Sequence, residues 1–310
     1  MLPILLKTLP FFALIGLGWW AGRTRFFTPE ATAYLTKFVF YFALSAMLFR
    51  FAANLSIAEI WDAQFAMAYL SACVAVYALA TLVARLRGVT AREAAVEAQC
   101  AIIGNAGFLG IPMLVVLLGP EAAASILLVL AIDLIVFSSL ITLILTKRGE
   151  GGMVALLGTL AIGLVKNPMI VSMVAGLAWA GTGWDVPGPA NEFLAILGAA
   201  ATPGALFAIG ASLATKSAER LEVALWLSFA KLILHPAAAA IAAFVIFEVD
   251  PYRAGVMVAA AALPVAGNVY ILAQHYGVAP LRVSASILIS TTVSILTVTA
   301  VIAWITGGSP

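Results

Sequence analysis

The chain alternates long apolar stretches with short polar ones from end to end. A hydrocarbon core of about 30 Å takes roughly 20 apolar residues as a helix. The pattern holds ten stretches of that order, about 3–22, 31–53, 63–86, 95–119, 122–146, 168–184, 192–214, 222–247, 254–277 and 281–306. The connections are short. The longest runs from Lys147 to Lys166, and its apolar middle, Met153 to Val165, reads as an interfacial helix. The pattern therefore predicts an all-α polytopic membrane protein.

Two stretches interrupt this rhythm from inside a span. In span 4 stands Gly104-Asn105-Ala106-Gly107-Phe108-Leu109-Gly110-Ile111-Pro112. Three glycines, an amide and a proline within so few residues do not sustain a continuous helix. In span 9 stands Leu263-Pro264-Val265-Ala266-Gly267-Asn268. A break at membrane depth frees backbone N–H and C=O groups that lipid cannot satisfy, so it is tolerated only where protein or a cavity surrounds it. Interrupted apolar segments in corresponding places of two halves point to a transporter's binding site.

Composition agrees with the pattern. Of 310 residues, 64% are hydrophobic and 10% charged, and the mean hydropathy is +1.12. A soluble domain carries about 25% charge, so almost nothing is left over for one. The net charge of +2 is too small and scattered for a nucleic-acid partner. Met1 to Trp20 carries one Lys and continues into a spanning stretch, unlike a cleaved signal. Cys73 and Cys100 lie in apolar stretches and read as small buried hydrophobes, not as disulfide or metal ligands.

Lys and Arg set the expected orientation. The connections after spans 1, 3, 5, 7 and 9 hold Arg23, Arg25, Arg85, Arg87, Arg92, Lys147, Arg148, Lys166, Lys216, Arg220 and Arg282, against Arg50 and Arg253 on the other side. Both termini are expected outside, in a plasma (inner) membrane.

The two halves also match each other. Pro10 and Trp20-Ala21-Gly22 align with Pro168 and Trp179-Ala180-Gly181, and Leu48-Phe49 with Leu206-Phe207. Gly104-Asn105 aligns with Gly267-Asn268, and Ala124-Ser125-Ile126-Leu127 with Ala285-Ser286-Ile287-Leu288, at offsets of 158 to 163. Five spans per repeat is an odd number, so the second repeat must be inverted in the membrane. The expected organisation is a first repeat at 1–146, a cytoplasmic linker at 147–167 and a second repeat at 168–310. The prolines differ: Pro112 follows its Asn, whereas Pro264 precedes its own.

The run from Gly104 to Met113 resembles the fourth-span signature of the auxin efflux carrier family, which includes plant PIN proteins and bacterial carriers. Lys166-Asn167-Pro168, Thr202-Pro203-Gly204-Ala205-Leu206-Phe207 and Ala273-Gln274-His275-Tyr276-Gly277 fit it as well, so the resemblance covers essentially the whole chain. It implies ten spans with spans 4 and 9 crossing at their breaks, as in sodium/proton antiporters. It also implies carriage of small organic anions and a homodimer. Ser45 stands where the family often has Pro, and the long hydrophilic central loop of many plant members is absent. The chain resembles the short bacterial branch.

The candidate chemistry follows from these positions. Half-helix N-termini carry free N–H groups and partial positive charge, which suit a carboxylate. Asn105 and Asn268 are therefore candidate substrate ligands, with capping of their own breaks as the alternative. Gly104, Gly110, Pro112, Pro264 and Gly267 are expected to shape the breaks and their crossing. Lys231 and His235, four residues apart in span 8, share a helix face. They are candidates for an electropositive wall, the alternative being structural bonds to a broken helix. Asp133, the acid deep in the first repeat, is the candidate for a coupling proton or sodium ion. Its repeat counterpart is Ser294. No other cofactor and no metal site is expected.

The leading expectation is a secondary carrier for a small carboxylate in the lipid bilayer, working by alternating access. A channel is one alternative. A membrane-embedded enzyme is another, but it needs a Ser with His or Lys, paired Asp, or clustered metal ligands, and no GxxxxGK[ST] run is present for ATP.

Overall fold

The computed structural model describes residues 2–55, 60–145, 152–214 and 221–307, and among them all regular elements are helical. Lys147, Arg148, Lys216 and Arg220, counted above for orientation, lie outside the described residues. In chain order the helices are α1 (Leu2–Arg23), α2 (Pro29–Ala53), α3 (Ala63–Leu86), α4 (Ala91–Ile102), α5 (Ala106–Leu118), α6 (Ala122–Leu145), α7 (Gly152–Val165), α8 (Pro168–Ala180), α9 (Gly188–Leu213), α10 (Leu221–Ile246), α11 (Pro251–Ala261), α12 (Gly267–His275) and α13 (Pro280–Gly307). Six of them, α2, α3, α6, α9, α10 and α13, are long and apolar enough to cross a membrane. The molecule is an all-helical polytopic membrane protein. The two interrupted stretches are each a pair of short helices, α4 with α5 and α11 with α12.

Polar caps explain where helix ends depart from the apolar pattern. α4 begins at Ala91, ahead of its apolar stretch, because Thr90 and Glu93 form a reciprocal capping box. α11 begins at Pro251, where the Asp250 side chain accepts from the Arg253 N–H and proline at the first position has no N–H to satisfy. α8 stops at Ala180, earlier than hydropathy suggests, in a turn where Gly183 takes a φ of +71°.

Packing divides the helices into two groups. In one, α1 lies along α9 and α8 lies along α2. These contacts are close: a Cβ on Gly210 would fall within 2.8 Å of the Ile15 carbonyl carbon, and one on Gly176 would lie 2.6 Å from the Phe49 carbonyl oxygen. Small residues allow backbones to approach this way in membranes. The pairings are span 1 with span 7 and span 6 with span 2, the same relation with the halves exchanged. The other group holds α3 to α6 and α10 to α13, where α3 packs on α4 and α10 on α11 and α13.

The first break lies where the groups meet. The turn Ala106–Gly110 contacts α9, Phe108 stacks on Phe40 of α2 with centroids 6.2 Å apart, and a Cβ on Gly107 would meet the Met169 Cε of α8 at 2.5 Å. Leu17, Val74, Val116, Ile196, Val245 and Leu296 are among the large apolar side chains that remain exposed. In a soluble protein such a surface would be a liability; here it suits lipid.

Candidate functional site

The two breaks bond to each other through their backbones. The Asn105 N–H donates to the Pro264 carbonyl at 2.9 Å, the Ala266 N–H donates to the Ile103 carbonyl at 3.1 Å, and Gly104 and Val265 form an isolated antiparallel bridge. Some of the donors freed by the interruptions are therefore satisfied by the opposite break rather than left for a ligand. Pro264 stands in the non-helical stretch, where its missing N–H leaves no ladder bond unmade. Its neighbour Val265 donates to Ser290 Oγ of α13 at 3.1 Å.

The glycines let these strands touch. A Cβ on Gly104 would sit 3.1 Å from the Ala260 carbonyl oxygen and 3.3 Å from Lys231 Nζ, and one on Gly110 would lie 2.6 Å from Leu263 Cδ1. Gly267 begins α12 with open space where its Cβ would be. Pro112 is buried at the second position of the α-helical part of α5, Ile111–Leu118. It directly follows the π-helical turn Ala106–Gly110.

The two asparagines are placed differently. Asn105 is buried and its Oδ1 accepts from the Phe108 N–H at 3.3 Å, so it caps α5. Asn268 is the second residue of α12, half-buried, and its Oδ1 is enclosed with no hydrogen-bond partner among the described residues. Of the first-turn N–H groups of α12, that of Val269 donates to the Ala266 carbonyl at 3.3 Å, and those of Gly267 and Asn268 have no intrahelical acceptor. A helix N-terminus and a carboxamide with an unpaired oxygen thus lie beside the crossing backbones.

Lys231 and His235 are fully buried on α10. Lys231 Nζ donates to the carbonyl of Ala261, the last residue of α11, and lies 3.0 Å from His235 Nδ1. The ammonium therefore sits at the negative end of one half-helix, beside Gly104 of the other break. His235 Nε2 lies 3.3 Å from Cys73 Sγ. Cys73 is buried, as expected, but it is a polar partner and not only a small hydrophobe. Tyr69, one turn away on α3, donates its hydroxyl to Asp133 Oδ1 at 2.9 Å. Asp133 Oδ2 has no partner among the described residues. No ion pair joins Asp133 to Lys231 among the described residues; Tyr69 bonds Asp133, and His235 lies between Lys231 and Cys73.

π-helical turns hold both Asp133 and Lys231. Asp133 opens the turn Asp133–Phe137, whose widened step is bonded by Ser138 Oγ donating to the Asp133 carbonyl at 3.1 Å. Lys231 lies in the turn Ala230–Leu234. Such turns insert an extra residue into a helix and are frequent at functional sites. No group of three or more His, Cys, Asp or Glu side chains able to hold a metal ion occurs among the described residues.

A charge cluster secures the entrance to α4. Glu97, 1% exposed, pairs with Arg87 and with Arg282 of α13, the latter at 2.9 Å, while Arg282 also reaches Glu93 at 2.9 Å. Glu93 is held below the ordinary glutamate range, chiefly by the Thr90 backbone N–H, with the Thr90 hydroxyl and Arg282 adding to it. Sequence reasoning singled out none of Tyr69, Glu97 and Ser290. Glu93 and Glu97, one turn apart, carried a legible signal; Tyr69 and Ser290 carried none without their partners.

Comparison with known proteins agrees with this architecture. Residues 3–302 match the family described as Membrane transport protein. The chain is also similar to a Rhizobium meliloti (strain 1021) protein named "Putative malonate transporter", with 31% identity over 307 residues, covering 97% of this chain and 95% of that one. With nearly its whole length matched, the chain belongs to the membrane transport protein family, the auxin efflux carrier family that its fourth-span motif resembles.

Proposed function

We infer that this transporter is a secondary carrier for a small organic anion of the carboxylate class, working by alternating access around the paired breaks. The observation that carries the reading is the meeting of the breaks beside Asn268. Backbones from α4–α5 and α11–α12 bond to each other next to the Asn268 carboxamide, whose oxygen is unpaired, a half-helix N-terminus and the buried Lys231. A carboxylate would accept from Asn268 Nδ2 and the Gly267 and Asn268 N–H groups that open α12, while Lys231 supplies long-range attraction. Asn105 takes part through the helix end that it caps. The relative named for malonate transport supports a dicarboxylate as the first probe.

The same reading covers the finer architecture. Ten spans in two inverted repeats account for the exchanged pairings, span 1 with 7 and span 6 with 2. Motion of one helix group against the other would expose the breaks to each side in turn. The carrier would lie in the plasma (inner) membrane with both termini outside, and would assemble as a homodimer. Asp133 would bind the coupling proton or sodium ion.

The test is a thermal-shift screen of purified protein against malonate and other mono- and dicarboxylates, with and without sodium, followed by counterflow in proteoliposomes. A ligand that binds the folded state raises its melting temperature. A shift with malonate together with counterflow is the expected result. Silence from every carboxylate, or flux without counterflow, would sink the reading.

A further inference from the structure

The end of α2, the end of α8 and the start of α9 enclose a groove of about 390 Å³. Phe49, Trp179, Pro187, Ala190, Phe193 and Leu194 are among its lining residues, and its wall is wholly apolar. The wall is preset by close packing. α2 lies against both α8 and α9, and a Cβ on Gly198 of α9 would sit 3.2 Å from the Met47 Cα of α2. A preformed apolar cleft with a few polar groups at its edge is the ordinary form of a ligand site.

Arg50 supplies the polar edge. It follows Phe49 in α2, and its Nε donates to Oδ1 of Asn191, the neighbour of Ala190, at 2.9 Å. Arg50 is half-buried and forms no ion pair among the described residues. Asp185 and Glu192, the acids flanking the groove in the chain, are exposed and do not pair with it. Arg253, the other cation that the sequence assigns to this sparsely charged side, bonds Asp62 at 3.2 Å. Arg50 is instead held by a neutral amide, and its two terminal nitrogens bond nothing among the described residues. Trp184 marks the depth. It is 73% exposed, and its carbonyl accepts from Trp179 Nε1 at 3.0 Å. Tryptophan collects at the headgroup level of a bilayer. From the groove, the exposed side chains of Phe193 and Ile196 continue an apolar face along α9.

We propose that this groove binds one phospholipid, with its phosphate on the Arg50 guanidinium and an acyl chain in the groove and along Phe193 and Ile196. The two terminal nitrogens of a guanidinium offer parallel donors that match two phosphate oxygens. A phospholipid brings the anion and the apolar chain in one molecule. A second copy of this chain would cover the groove but would have to supply an acid of its own to Arg50. All the contacts come from the helix group of α1, α2, α8 and α9. The lipid therefore ties the ends of α2, α8 and α9 together and leaves the breaks untouched. The proposal does not depend on the carrier reading.

Thermal shift of the delipidated full chain in detergent tests this, with phosphatidylglycerol as the probe and diacylglycerol of the same acyl chains as the control without phosphate. Phosphatidylglycerol should raise the melting temperature, and diacylglycerol should not. In Arg50→Gln the half-maximal shift should need about tenfold more phosphatidylglycerol, the scale of one lost hydrogen bond to a charged group. Arg50→Lys should recover part of that loss. Ala190→Trp fills the groove and keeps the cation, so it should abolish the response; it decides the matter should Arg50→Gln not fold. Equal shifts with the two lipids, or a wild-type response in Arg50→Gln or in Ala190→Trp, overturns the proposal. So does an Ala190→Trp variant that cross-linking shows to have changed from dimer to monomer while the wild type ignores phosphatidylglycerol, because the groove would then belong to a second copy.

Discussion

The two breaks carry the same Gly-Asn pair and use it differently. At the first, Asn105 stands immediately before α5 and its side chain closes the helix end by accepting from Phe108. At the second, α12 starts at Gly267 after Ala266, whose side chain cannot cap, and Asn268 lies inside the first turn with its Oδ1 unpaired. The register of proline separates them. Pro112 follows Asn105 and sits within its helix, so the chain can turn helical directly after the Asn. Pro264 precedes Asn268 and holds the chain extended up to Ala266. An amide one position outside a helix binds that helix; an amide two positions inside it is available to something else.

The entrances to the two broken stretches differ in the same direction. α4 is anchored by Glu97, buried between Arg87 and Arg282. α11 is anchored by Arg253 with Asp62 at 3.2 Å, their side chains 27% and 22% exposed. α4 is more tightly fixed at its entrance than α11, and of the two asparagines it is Asn268 whose Oδ1 is unpaired.

The strongest way to break this contrast is at Glu97. Arg282→Gln removes one of its two cations and is expected to cost toward the lower end of about 3–5 kcal/mol, the range for stranding a buried charge, because Arg87 remains. Unfolding free energy in mixed micelles reads this, and a loss no larger than that of Arg253→Gln would erase the contrast.

Next in size is the comparison of the asparagines. Asn268→Ala should weaken carboxylate binding by about 1.5–3 kcal/mol, the worth of a hydrogen bond to a charged group, with the fold intact. Asn105→Ala should instead cost about 1 kcal/mol of stability through the lost cap, with a smaller change in affinity. Equal losses of malonate affinity in titrations of the two variants would show that both amides face the ligand.

Arg253→Gln opens an accessible pair and should cost less than about 1 kcal/mol, since solvent already screens it. A larger loss would mean that the second entrance is as firmly held as the first.

The smallest effect concerns acid. Because folding holds the Glu93 carboxyl below its ordinary range, its stabilising contribution is complete above the unfolded value, about 4.3. It fades as pH falls through the lower folded value. Glu93→Gln should therefore flatten the stability profile below that point and leave the profile above it unchanged in shape. An identical acid limb in both proteins would remove Glu93 from the anchor.

Much of this was legible in the residues. The apolar stretches located the helices, with Ala63–Leu86 read to the residue. Helix ends strayed where caps did the work: hydropathy cannot see that Thr90 and Glu93 extend α4 beyond the apolar window. The breaks were legible because glycine and proline act on the backbone locally, whatever surrounds them. Their mutual hydrogen bonds were not, since Asn105 and Pro264 are far apart in the chain.

The division follows the range of the physics. By itself the sequence determined an all-helical membrane protein, its two interruptions and the buried positions of Asp133, Lys231 and His235, because hydropathy, helix period and backbone restriction are local. Only the tertiary structure decided that Asn105 caps while Asn268 Oδ1 stays unpaired, that Cys73 meets His235, and that Tyr69 bonds Asp133. Hydrogen bonds span about 3 Å, and which groups come within that reach depends on how helices distant in sequence pack together.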